Sequence, residues 1–69
     1  MRFDVYGRYE VEVRRAGDAW RVYRLDNGKR RPFRDLALLP DLPEAEIATH
    51  LDDLLHEQAG PGERVRRIA

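Results

Sequence analysis

The chain has 69 residues, no cysteine, and 13 basic against 13 acidic side chains, so its formal net charge is zero. That length allows one domain, residues 1–69, with a small core; the missing cysteines exclude disulfides and thiolate metal sites. No stretch approaches the roughly 18 apolar residues of a membrane helix, so no membrane partner is expected.

The zero charge conceals a segregation. Residues 1–34 hold ten Lys/Arg and five Asp/Glu, residues 35–59 hold seven Asp/Glu and no Lys or Arg, and the tail adds Arg64, Arg66 and Arg67 against Glu63. The expectation is that the basic and acidic segments lie side by side and neutralise each other. The opening Met1-Arg2-Phe3-Asp4-Val5 lacks the apolar run and cleavage site of a signal peptide, which makes a cytoplasmic location the expectation.

Between Phe3 and Val13 the odd positions are mostly apolar and the even ones mostly polar, the period of a half-buried strand. A two-residue Gly7-Arg8 hairpin would set Val5 against Glu10 and mix the faces, so one strand over about 2–14, bent near Gly7, is the reading. A four-residue loop, Arg15 to Asp18, then places Val13 opposite Trp20, Glu12 opposite Arg21 and Val11 opposite Val22 in a strand over 19–26. Asn27-Gly28 is a type I′ turn signal, because both central residues need positive φ. It pairs Asp26 with Lys29, Leu25 with Arg30 and Val22 with Phe33 in a third strand over about 29–35. Pro32 cannot donate to a ladder, which puts that strand at an edge.

Leu36 to Pro40 is either a crossover loop or a brief fourth strand. Asp41 as N-cap, Pro43 in the first turn and Glu44 three residues after the cap predict a helix over about 42–58, stopped by Gly60-Pro61-Gly62. Its apolar stripe is Ile47, Leu51, Leu54 and Leu55, and Trp20 is expected to lie buried against Leu51 and Leu54 or Leu55. The tail, 60–69, either docks beside Phe3–Tyr6 or frays. The fold class is α+β: a three- or four-stranded antiparallel meander with one C-terminal amphipathic helix packed on one face.

Residues for catalysis are scarce. There is no Ser or Cys, Thr49 is the only alkyl hydroxyl, and the adjacent Asp52 and Asp53 point about 100° apart on a helix. Neither an enzyme nor a cofactor is expected. Glu46, His50, Asp53 and Glu57 share one helix side and Asp52 neighbours His56; these read as solvated groups, since the ligand set of a structural zinc site is absent. The outward sheet face is the candidate interaction surface, carried by Arg8, Arg14, Arg21, Tyr23, Leu25, Arg30 and Arg34. Arginine and tyrosine beside an apolar neighbour suit a protein partner, with nucleic acid second. A two-fold homodimer would follow if Tyr6, Tyr23, Leu25, Val65 and Ile68 gathered in one patch.

Two resemblances attach to these residues. Met1 to Arg8, then Trp20 to Arg24, Gly28 to Pro32 and Leu51 to Glu57, resemble a family of small uncharacterised bacterial proteins, a likeness that covers nearly the whole chain and implies no particular activity. The architecture, a Trp-bearing strand, an Asn-Gly-Lys hairpin, a third strand and a helix, is similar to arm-type DNA-binding domains of tyrosine recombinases and to AP2 domains. That likeness implies Arg21, Tyr23, Arg30 and Arg34 facing a major groove, with Glu10 and Glu12 on the same face as departures.

Overall fold

A computed structural model describes all residues, Met1–Ala69. Five antiparallel strands form one sheet in the order β4-β3-β2-β1-β5: β1 (Arg2–Val5), β2 (Tyr9–Ala16), β3 (Ala19–Asp26), β4 (Lys29–Pro32) and β5 (Val65–Arg67). Helix α1 (Ile47–Leu55), extended at either end by a single 3-10 turn (Glu44–Glu46 and His56–Gln58), packs on one face.

The expected first strand is a hairpin. Tyr6 and Gly7 both take positive φ, 55° and 70°, and the Arg8 N–H donates to the Val5 carbonyl at 3.0 Å. The Gly7 N–H donates to Asp4 Oδ2 at 3.1 Å. With Val5 opposite Tyr9 and Phe3 opposite Val11, the loop holds three residues, Tyr6 to Arg8. An odd loop pairs odd positions with odd positions, so the alternation continues across the turn and mimics one strand. Tyr6 is held in this strained conformation because its ring is buried and its hydroxyl donates to Asp52 Oδ1 at 2.5 Å. Burial, then that contact with Asp52, pushes the Tyr6 hydroxyl well above its ordinary pKa.

The β2–β3 turn is tighter than expected. Ala16 lies opposite Ala19, leaving a two-residue turn with Gly17 at φ 60°, the position that a type II′ turn reserves for glycine. Val13 therefore faces Val22, Glu12 faces Tyr23, and Arg15 faces Trp20. The register moves by two residues from the expected one, an even shift, so Val11, Val13 and Val22 still share the core face. The expected Glu12–Arg21 pair is replaced by Glu12–Tyr23, and Arg21 stands opposite Arg14. Asn27 and Gly28 take φ 50° and 77°, and the β3–β4 register is the expected one.

Leu36 to Pro40 forms no strand, although Leu36 and Leu38 are buried beneath the sheet. Asp41 makes no cap: Pro43 is the residue before the first 3-10 turn and no side chain caps it. The fixed φ of proline starts the helical segment later than the cap pattern implies. Ile47, Leu51 and Leu55 form the buried stripe, whereas Leu54 is 49% exposed. Trp20 is half-buried, not largely buried, and packs against the core that contains Leu51 and Leu55. Its Nε1 donates to the Leu42 carbonyl at 3.0 Å, and Arg15 stacks over the ring at 4.8 Å.

The tail docks. After Gly60-Pro61-Gly62, where Glu63 Oε1 accepts the Gly60 N–H at 2.6 Å, β5 pairs with β1 through Val65–Val5, Asp4–Arg66 and Phe3–Arg67. The Arg2 N–H donates to the Ala69 carbonyl at 3.0 Å, so the chain is held to its last residue. The core thus combines Phe3, Val5, Val11, Val13 and Val22 from the sheet with Ile47, Leu51 and Leu55 from α1, and Val65 from β5.

Candidate interaction surface

The register determines which side chains share the face turned away from α1, since directly paired residues project to the same side. One row across the sheet reads Arg66, Asp4, Glu10, Leu25, Arg30. The next reads Arg2, Glu12, Tyr23, Pro32, and a third sets Arg14 beside Arg21. The sheet and one helical layer are the whole architecture, so no second layer covers these rows.

Glu12 is the electrostatic centre of the face. Its Oε1 accepts from Arg30 Nη1 at 3.1 Å and lies 3.4 Å from Arg14 Nε, with the Glu12 side chain only 18% exposed. Partial burial alone would raise this carboxyl; the hydrogen bond from Arg30 and the charges of Arg14 and Arg30 outweigh it and hold it below the usual carboxylate range. Arg30 also stacks over Tyr23, its guanidinium carbon 4.6 Å from the ring centroid. Glu10 has Arg2 at 3.9 Å. The outward carboxylates of β2 are thereby occupied, while Arg21 and Arg34 have no acidic partner.

Those two free guanidiniums flank a depression of about 210 Å³ where the chain leaves β4. Tyr23, Pro32 and Phe33 supply apolar wall, with Val22 and Leu36 behind them. An arginine fork accepts a carboxylate through paired N–H donors, and the wall beside it offers contact to a neighbouring apolar side chain. The site is therefore shaped for an acidic group attached to something apolar.

Of the residues expected on this surface, Arg14, Arg21, Tyr23, Leu25 and Arg30 lie on it, and Arg34 joins them from the turn that follows β4. Arg8 does not. The β1–β2 hairpin takes it off the sheet, and its guanidinium instead donates to the Gln58 carbonyl and pairs with Glu63 at 3.5 Å. Arg2 and Arg66 also belong to the face: Arg2 follows from the alternation of the first strand, whereas Arg66 is placed there only by the pairing of the tail with β1, which two large apolar residues in the tail do not specify. Tyr6 and Val65 are core residues, 5% and 6% exposed, so the apolar patch on which a two-fold dimer was premised does not assemble.

The helical layer on the opposite side carries the acids of the chain's middle segment, although the register also turns Arg15, Arg24, Arg31 and Arg67 toward that side of the sheet. None of the seven Asp and Glu residues of 35–59 takes part in an ion pair; every ion pair joins residues within 1–34 or links Arg8 to Glu63. The expected mutual neutralisation of the two segments is absent. Within the basic half, Glu10, Glu12 and Asp26 pair with Arg2, Arg14, Arg30 and Arg24, and among the helical acids only Asp52 is engaged, by the Tyr6 hydroxyl. His50 lies with Leu42, Glu46, Thr49 and Asp53 around a shallow depression, and His56 Nδ1 sits 2.8 Å from the Asp53 carbonyl. These residues bring no three of His, Asp and Glu into a cluster able to hold a metal ion.

The chain belongs to a family described as a domain of unknown function, DUF7661, whose match spans residues 1–69. No curated protein and no solved structure matches it.

Proposed function

We propose that this protein is a non-enzymatic interaction module that holds an acidic, partly apolar segment of a protein partner against the outer face of its sheet. The observation that carries this reading is the pair Arg21 and Arg34, both without an acidic partner, flanking the Tyr23, Pro32 and Phe33 wall. Aromatic and arginine side chains around a recess are the usual composition of a binding hot spot. The absence of Ser and Cys from the sequence favours a binding role over nucleophilic catalysis. No helix is long and apolar enough to cross a membrane, and we propose the bacterial cytoplasm as the location.

A DNA-binding role is the second reading, favoured by the same arginines beside Tyr23. Glu10 and Glu12 oppose it, because carboxylates on the docking face repel phosphates. Fluorescence anisotropy separates the two. A fluorescein-labelled helical peptide of Glu, Leu and Ala is expected to bind, and Arg21→Gln/Arg34→Gln to weaken it by about tenfold. A labelled DNA duplex that binds more tightly than the peptide, or peptide binding indifferent to the double substitution, would overturn the proposal.

A further inference from the structure

Each broad side of the molecule keeps a set of charges that no ion pair within the chain satisfies, arginines on the outer sheet face and carboxylates on the helical layer, although Arg15, Arg24, Arg31 and Arg67 also project to the helix side. On the sheet side Arg21 and Arg34 are free, and Arg66 adds a third unpaired cation at the far end of the face. On the helix side Glu44, Glu46, Asp53 and Glu57 are exposed, and none is ion-paired. Apolar surface follows the same division. Leu39, 65% exposed, and Leu54 stand in the acidic segment, while the apolar wall that would receive such side chains lies between the two arginines.

We infer that a second copy of this chain is itself a ligand of the sheet face: the acidic helix layer of one copy docks on the outer face of the next, around Arg21 and Arg34. This rests on the reading that the outer face takes an acidic protein segment, and it names the segment. The geometry sets the form of the assembly. The two patches differ and lie on opposite sides of the sheet, so the contact is heterologous and leaves one free patch at each end of every pair. Growth is then stepwise, and a closed two-fold dimer is not its product. The sheet edges take no part. β4 presents Lys29, Arg30 and Arg31 before Pro32, and β5 presents Arg66 and Arg67, so edge-to-edge pairing would set cations against cations.

Sedimentation equilibrium of the full chain at about 0.01 M salt, where the screening length is ~30 Å, is the test. The weight-average mass is expected to rise with protein concentration without levelling at twice the monomer, and to return to the monomer value at about 1 M salt, where screening is complete within ~3 Å. Glu46→Gln/Asp53→Asn/Glu57→Gln neutralises one patch and Arg21→Gln/Arg34→Gln the other. All five positions are exposed or half-buried and lie outside the core. Each variant alone is expected to stay monomeric. Mixed in equal amounts, each supplies the patch that the other lacks, and the mass is expected to level at one pair.

A mass that levels at two copies and survives the helix-side substitutions would overturn the head-to-tail contact in favour of an isologous one. A wild-type chain that stays monomeric at low salt yet binds the Glu, Leu and Ala peptide would overturn self-docking and leave the proposed function standing. Failure of both would overturn both.

Discussion

Glu12 shows how much of this surface depends on single residues. It stands between Arg14 and Arg30, and Arg30 in turn lies flat on Tyr23. One carboxylate thus fixes the position of a cation and an aromatic ring on the proposed docking face. Because its folded pKa lies below the reference value of 4.5, the unfolded chain binds the proton more readily there. Stability contributed by Glu12 is therefore present above that reference value and is lost as pH falls through the lower, folded value. Glu12→Gln is expected to cost about 0.5–1 kcal/mol at neutral pH, and the gap to the wild type to close in acid. Urea unfolding midpoints of both proteins from about pH 7 to about pH 3 check this; a gap that is constant across the range would show that the charge contributes nothing. The identity of Glu12 as an outward residue was legible from alternation alone. Its partners were not, because a register error of two residues exchanges Arg21 for Tyr23 without disturbing either face.

Among the elements, local chemistry specifies structure most firmly where the backbone leaves no choice. Asn27-Gly28 needs positive φ at both positions and received it, and the β3–β4 register followed. The β1–β2 turn was hidden for the converse reason: Tyr6, a residue that disfavours positive φ, occupies the first central position and is kept there by burial and by Asp52, a contact 46 positions away. Docking of the tail beside Phe3–Tyr6 was legible as one of two alternatives, and the choice between them was not, because a three-residue edge strand has no periodicity of its own and gains its place from β1. The helix was recognisable by its stripe, yet the stripe is narrower than its spacing implied, since the sheet underlies only the Ile47, Leu51 and Leu55 line. Leu51→Ala is accordingly expected to cost about 3 kcal/mol and Leu54→Ala less than about 0.5 kcal/mol. Chemical denaturation of the two variants gives the comparison, and equal losses would show that α1 is rotated from the orientation described.

At the scale of the whole molecule, the zero net charge is a sum over two unlike sides. Length, composition and charge counts revealed the segregation along the chain but not its outcome. Whether two charged segments neutralise each other depends on which faces meet, and here the helical layer meets the sheet through its apolar stripe and a few neutral or single-sided polar contacts, Tyr6 to Asp52 and Tyr9 to Gln58 among them, with no ion pair. The exposed acids of the helical layer, Glu44, Glu46, Asp53 and Glu57, and the free arginines of the outer face lie on opposite sides of the sheet, one suited to a basic surface and the other to an acidic one. In the function proposed above, the corner formed by Arg21, Tyr23, Pro32 and Arg34 receives an acidic partner. Amide chemical-shift mapping on the ¹⁵N-labelled chain, titrated with the Glu, Leu and Ala peptide, tests it most directly. Shifts are expected to be confined to β3, β4 and the turn at Arg34 and to disappear in Arg21→Gln/Arg34→Gln; shifts centred instead on α1, or none as the peptide is raised to about 1 mM, a concentration that still detects contacts of about −4 kcal/mol, would overturn the proposed docking site.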